Sequence, residues 1–301
     1  MHIYHNFTQL IDIKQPVHWA AGFFDGVHRG HRRVIASAET EGALKGVVCF
    51  TPHPLAVLKP EFAPLLLTPT AEKKHRLLEA EGVDILLELP FTRELASMSP
   101  EQFLDALCSA SQVAGISVGS NWHFGKGGSG NADFLRAQAA LRGFRACINE
   151  MLLEGDETVC SSAIRKHLAE GNIARANELL GRPFSVCGRV EHGQKLARKL
   201  GFPTANIALP STAAVPRRGV YAVQACICGE LHRGIANIGL RPTIDEKIKI
   251  NRLEAHFTSW EKGEFYGDIL DVELLRFIRP ETKFESIDAL KKQIEKDLES
   301  L

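Results

Sequence analysis

Between residues 22 and 31 the chain reads Gly22-Phe23-Phe24-Asp25-Gly26-Val27-His28-Arg29-Gly30-His31. Gly22 and Gly26 let the backbone turn tightly and approach a ligand closely. The apolar run Trp19-Ala20-Ala21 precedes this turn, and Val34, Ile35 and Ala38 follow it with helical spacing, so it joins a strand to the start of a helix. The free N–H groups and positive dipole end of such a helix favour phosphate. His28 and His31 are placed to face that phosphate and to stabilise charge that develops as an α-phosphate is attacked. Positioning and electrostatics carry such a transfer without a covalent intermediate. Phe24, Asp25 and Gly30 complete this candidate phosphate site with the two turn glycines. A two-histidine metal site is the competing reading, and no further His/Cys cluster lies nearby in sequence to support it.

A second constellation is Gly201-Phe202-Pro203-Thr204-Ala205-Asn206. The Thr204 hydroxyl and Asn206 amide lie two apart, so in an extended segment both point one way. Two neutral oxygens suit Mg²⁺, which keeps waters and takes its remaining ligands from nucleotide phosphates. Elsewhere, Pro52-His53-Pro54 forms a rigid corner after a strand. Ser161 and Ser162 cap a helix with Arg165 one turn in, an arrangement suited to the β- and γ-phosphates of a nucleotide.

The elements that must hold these groups change character along the chain. Gly46–Phe50, Ile85–Leu89 and Ile116–Val118 read as buried strands, with helices at Ala71–Glu81 and Pro100–Ala110 between them. The second helix has a capping-box start, with Ser99 at the N-cap, Pro100 at N1 and Gln102 at N3. Alternating strands and helices imply right-handed crossovers and a doubly wound, mostly parallel sheet, with ligands at the carboxyl ends of the strands. Short helices near Ser162–Glu170 and Ile173–Leu180 end on Gly171 and Gly181. After residue 182 five strand-like runs (Phe184–Val190, Val220–Ile227, Leu231–Ile238, Leu253–Thr258 and Ile269–Phe277) predict a small β-barrel. A last helix from about Ile287, with Leu290, Ile294 and Leu298 on one stripe, is expected to pack across it. The domains are expected at 1–182 and 183–301.

Lys+Arg and Asp+Glu are equal at 36 each, so no bulk field favours nucleic acid or an anionic membrane, and phosphate binding must be local. The seven cysteines are scattered without a C-x-x-C, and Cys226 and Cys228 are expected on one face of a strand. Buried thiols in a reducing cytosol are the expectation. There is no signal-like N-terminus and no apolar run of spanning length, which points to the cytoplasm.

The turn at Phe24-Asp25-Gly26-Val27-His28-x-Gly30-His31 resembles the H-x-G-H nucleotidyltransferases, and in its specific form the FMN adenylyltransferase module of bacterial FAD synthetases. Phe50–Pro54, Gly119–Lys126 with Gly130, and Ser161–Arg165 match that family's later segments in order. From Gly181-Arg182-Pro183-Phe184 onward the chain is similar to riboflavin kinases, through Gly201–Asn206, Gly219–Ala222, Asn237–Thr243, Leu253–His256, Phe265–Gly267 and Arg279–Phe284.

The resemblance implies a Rossmann-like nucleotidyltransferase domain followed by a riboflavin kinase barrel with a terminal helix. By the resemblance, ATP would phosphorylate riboflavin to FMN, and a second ATP would adenylylate FMN to FAD with release of pyrophosphate. It implies flavin contacts from His53, Pro54, Asn121, Trp122, Phe124 and Arg279; for Arg279, simply capping the barrel is an equal reading. ATP contacts come from Lys195 and Gly201, Mg·ATP is held by Thr204 and Asn206, and Glu254 is the base for the ribityl hydroxyl. Ala163 departs from the family's Thr, Trp122 from its Phe, Ala197 from a Gly and Pro280 from an acidic residue. Two other readings fit the same residues: a single-activity member with one half weakened at Ala163 or Ala197, and a non-enzymatic flavin- or nucleotide-binding regulator.

Overall fold

The structure is a computed structural model that describes residues 1–191, 204–242, 249–258 and 266–301. Lys195, Ala197 and Gly201 lie outside the described residues. The chain divides into two compact units: Met1–Pro64 with Thr70–Cys160, and Leu65–Pro69 with Ser161–Leu301.

The first unit contains β1 (His2–Tyr4), β2 (Val17–Ala21), α1 (Arg29–Ala36), β3 (Leu44–Thr51), α2 (Pro54–Leu58), α3 (Ala71–Ala80) and β4 (Ile85–Pro90). It continues with α4 (Arg93–Ser97), α5 (Pro100–Ala110), β5 (Val113–Gly119), α6 (Ala132–Arg142), β6 (Arg145–Asn149) and the small hairpin β7 (Leu153–Glu154) and β8 (Glu157–Thr158). The six long strands form one sheet in the order β1-β4-β3-β2-β5-β6, every pair parallel.

Successive strand residues feed two separate cores. Trp19, Ala21, Val48 and Leu87 pack with α5 and α6 on one face, while Ala20, Val47, Cys49 and Leu86 pack with α1 and α3 on the other. Both faces are dry, which is why these strands read as continuous apolar runs. The chain winds from β2 through β3 to β4 on one side and places β5 and β6 on the other. The order therefore reverses at β2 and β5, where such sheets open a crevice beyond the strands' carboxyl ends. The capping box of α5 is present as expected, with Ser99 and Gln102 bonding each other's backbone.

In the second unit α7 (Ser161–Glu170) and α8 (Ile173–Leu180) precede a closed antiparallel barrel. Its strands are β9 (Phe184–Glu191), β10 (Ala205–Ala208), β11 (Gly219–Ile227), β12 (Glu230–Pro242), β13 (Lys249–Phe257) and β14 (Ile269–Arg279), in the order β10-β13-β12-β11-β14-β9. Asn177 fastens α8 to two strands: its amide donates to the Leu274 carbonyl at 2.9 Å, and its oxygen accepts the Phe184 N–H at 2.7 Å.

Two expectations are corrected in this unit. Cys228 is not on a strand face: with Gly229 it forms the two-residue turn between β11 and β12, both residues at positive φ, as hairpin turns of this length demand. Cys226 and Cys228 are both exposed, and Cys49 alone of the seven is fully buried.

The terminal helix α9 (Ile287–Glu299) leaves Leu290, Ile294 and Leu298 only half-buried, and Asp297 is its most buried residue at 3% exposed. Arg279 donates from Nε and Nη2 to the Asp297 carboxylate at 2.8–3.1 Å, and Gln293 adds a bond at 2.8 Å. The helix is thus pinned to the end of β14 by an ion pair. Asp297→Ala is expected to destabilise this unit by about 1–3 kcal/mol, because it strands a largely buried guanidinium. An earlier denaturant transition would register the loss. Among the described residues no helix is long and apolar enough to cross a membrane.

Candidate functional site

The turn leaving β2 carries three backbone irregularities within four residues. Phe24, Gly26 and Val27 have φ of 56°, 85° and 40°. Gly26 meets that requirement without cost, whereas Phe24 and Val27 each hold a conformation worth roughly 1–3 kcal/mol of strain. Their side chains are almost fully buried in the α1/α3 core, and burial of such groups contributes about 1.5–3 kcal/mol each. The turn is therefore clamped open by two apolar anchors, with Asp25 buried between them.

His28 is the N-cap of α1, its Nδ1 accepting the N–H of His31 at 3.3 Å. An accepting Nδ1 carries no proton, so the neutral ring holds its hydrogen on Nε2. The His31 ring stacks on that of His28 at 3.6 Å and 18°. Its Nδ1 is buried with no hydrogen-bond partner among the described residues. Burial, then His28, then Lys74 push the His31 pKa well below the usual imidazole range, so the ring is neutral. Gly30 is closely packed: a Cβ there would come within 3.2 Å of the His28 ring and 3.3 Å of the Val159 carbonyl.

His53 caps α2 directly after β3, its Nδ1 accepting the Leu55 N–H at 3.1 Å with Pro54 at the helix start. Phe23 meets the His53 ring edge-on at 4.4 Å, which links the turn after β2 to the corner after β3. Beyond β5, Asn121 is exposed and Trp122 is half-buried and stacked on Phe124 at 4.3 Å and 14°. Phe124 is itself a core residue, between Phe103 and Phe134, so it backs the indole while Trp122 and Asn121 face outward. The three expected segments thus leave the carboxyl ends of β3, β2 and β5, neighbours in the sheet at its point of reversal.

Ser161 and Ser162 open α7 rather than precede it, and Arg165 follows one turn later; all three make polar contacts. They belong to the second compact unit.

In the barrel, Asn206 on β10 lies directly opposite Glu254 on β13, which lies directly opposite Asn237 on β12. Opposed residues share a face, and these three alternate with the buried Ala205, Ile207, Leu253, Ala255, Ala236 and Ile238. The Asn206 amide nitrogen is 3.3 Å from the Thr204 hydroxyl, so the two residues read together from sequence do converge. Asn206 is 3% exposed, and its Oδ1 is buried without a hydrogen-bond partner among the described residues. A buried, unsatisfied amide oxygen beside a hydroxyl fits a hard cation such as Mg²⁺. Arg279, the last residue of β14, is engaged by Asp297 and by the Pro280 carbonyl at 3.2 Å.

Two residues at the first site were not read from sequence. Phe23 lies between motif positions and carries no signal of its own. Lys74 has a sequence signal: its place one turn before the buried Leu78 on α3 puts a cation on the helix's apolar face.

Known proteins resemble this chain over both units. A riboflavin kinase family model matches residues 180–301 and an FAD synthetase family model matches residues 11–163. Bifunctional riboflavin kinase/FMN adenylyltransferases of Bacillus subtilis and of Escherichia coli K12 are each 38% identical, over 92% of this chain and 89% and 88% of their own lengths. A crystal structure described as a macrolide-efflux protein from Streptococcus pneumoniae superposes with a TM-score of 0.86 at 27% identity, covering 98% of this chain and 96% of that one.

Proposed function

The chain belongs to the bifunctional riboflavin kinase/FMN adenylyltransferase family, and from that premise we propose how its residues divide the two reactions. Residues 183–301 are assigned the phosphorylation of riboflavin, and residues 1–182 the adenylylation of the resulting FMN.

In the kinase half Glu254 takes the proton of the ribityl hydroxyl as that oxygen attacks the γ-phosphorus of ATP. A primary alcohol is a poor nucleophile, and a positioned carboxylate supplies the missing basicity. Thr204 and Asn206 would hold Mg²⁺, which when bound neutralises phosphate charge and orients the nucleotide. Lys195 and Gly201 are assigned to the same nucleotide. Arg279 is assigned to the flavin, with Asp297 and the Pro280 carbonyl fixing its guanidinium.

In the transferase half a phosphate oxygen of FMN attacks the α-phosphorus of ATP, and pyrophosphate leaves. His28, with its hydrogen on Nε2, donates to the phosphate oxygens, and His31 completes the pair. Gly22, Phe24, Asp25, Gly26 and Gly30 shape the cradle; Ser161, Ser162 and Arg165 take the outer phosphates. His53, Pro54, Asn121 and Trp122 receive FMN, with Phe124 as support. The setting we infer is the cytosol.

The observation that carries the reading is the gathering of three loops at the carboxyl ends of β3, β2 and β5 around the capped, stacked histidine pair. Incubating the chain with riboflavin and Mg·ATP is expected to yield FMN first, then FAD with one pyrophosphate per FAD. FMN that accumulates without FAD would refute the transferase assignment, and unchanged riboflavin would refute the kinase assignment.

A further inference from the structure

Lys74 is a buried charged group of the first unit that the division of roles above leaves without work. It projects from α3 and is only 5% exposed. Its ammonium sits 4.5 Å from the centre of the Phe23 ring and makes no ion pair with a carboxylate among the described residues. The buried acid of β4, Glu88, is instead paired with His75 at 3.0 Å. Phe23 contacts His53, and the stacked His28/His31 pair lies within the field of the same ammonium. A buried cation with an aromatic face on one side and no counter-ion is costly to maintain, and an anionic ligand removes that cost.

We propose that Lys74 is a catalytic residue of adenylyl transfer, its ammonium contacting the polyphosphate of ATP and offsetting the charge that grows as pyrophosphate departs. The inference rests on the adenylyltransferase reading. In the step, a phosphate oxygen of FMN forms a bond to the α-phosphorus. The bond from that phosphorus to the bridging oxygen breaks, and its electron pair leaves with pyrophosphate. Lys74 neither gains nor loses a proton. Such a fixed cation is needed because the histidines do not supply one. His31 is held neutral by burial, by His28 and by Lys74 itself, and His28 caps its helix with an unprotonated Nδ1. Near-neutral imidazoles contribute hydrogen bonds, and the lysine contributes charge.

The test uses the full chain with Lys74→Met and Lys74→Arg. FAD formation from FMN and Mg·ATP is followed across pH, and FMN formation from riboflavin serves as the control for folding. Lys74→Met is expected to lower kcat for FAD formation by roughly 10²-fold, with FMN formation retained. Its pH profile carries a second signature. The titratable groups facing His31 are His28 from the N-terminus of α1 and Lys74 from α3. Removing the lysine's charge makes protonation of His31 easier, so the acid limb of the profile moves to higher pH; Lys74→Arg keeps that limb in place and restores part of the rate. Wild-type kinetics in Lys74→Met, or a parallel loss of both activities with an unmoved acid limb, would overturn the proposal. A wild-type chain that makes no FAD would instead overturn the adenylyltransferase reading itself.

Discussion

A chain carrying His28→Asn and His31→Ala together makes FMN at the wild-type rate and no measurable FAD: that is the expected outcome for the first of two decisive substitutions. Asparagine is chosen at position 28 because it is a strong N-cap, so α1 keeps its start while the imidazole is removed. Alanine there would add about 1 kcal/mol of helix destabilisation and blur the result. Deleting one preorganised donor to a developing oxyanion costs roughly 10²–10³ in kcat. The two rings are stacked at 3.6 Å and share one capping bond, so they act as a unit and the double loss will not be the product of the single losses. Pyrophosphate release with FMN supplied directly is the measurement. Surviving FAD synthesis at more than a few per cent would remove the histidines from the mechanism.

The second expectation concerns the barrel. Glu254→Gln should lower FMN formation from riboflavin by roughly 10²–10⁴-fold while FAD formation from added FMN is unchanged. Glutamine keeps the length and polarity of the side chain between Asn206 and Asn237, so the β10-β13-β12 register is expected to hold and only the proton acceptor is lost. A fall in apparent affinity for riboflavin with kcat intact would recast Glu254 as a binding group. Full activity in the Gln variant would dismiss it as the base.

Much of the site was legible because its signals are local. Gly26, the helix that begins after His28, and the Ser99 capping box each declare themselves within four residues, as do Gly171 and Gly181 at the ends of two helices. The parallel sheet was legible because both its faces are buried and its strands read as unbroken apolar runs.

Features that rest on distant partners were not legible. Barrel closure depends on β9 meeting β14, the last strand, from which most of the barrel sequence separates it. The four-residue β10 is too short to show a period. The positive φ of Phe24 and Val27 contradicts the preferences of those residues and is sustained only by the core that anchors them. Asp297 is buried by its pairing with Arg279, and Lys74 lies over the Phe23 ring; both partnerships join residues far apart in sequence or on separate elements, and neither pairing leaves a local signal.

The alignment of Asn206, Glu254 and Asn237 across three strands also governs which changes in chain length this protein tolerates. Side chains alternate along a strand with a period of two, so a one-residue insertion or deletion that slides β13 against its neighbours turns Glu254 toward the barrel interior. Leu253 or Ala255 would then stand in its place. Such a frame slip would bury a carboxylate and expose an apolar side chain at once, whereas the two-residue turn at Cys228-Gly229 accepts residues that tolerate a positive φ, such as Asn-Gly, so long as it stays two residues long. Natural length variation in the barrel is therefore expected to fall between strands and to spare the interiors of β10, β12 and β13.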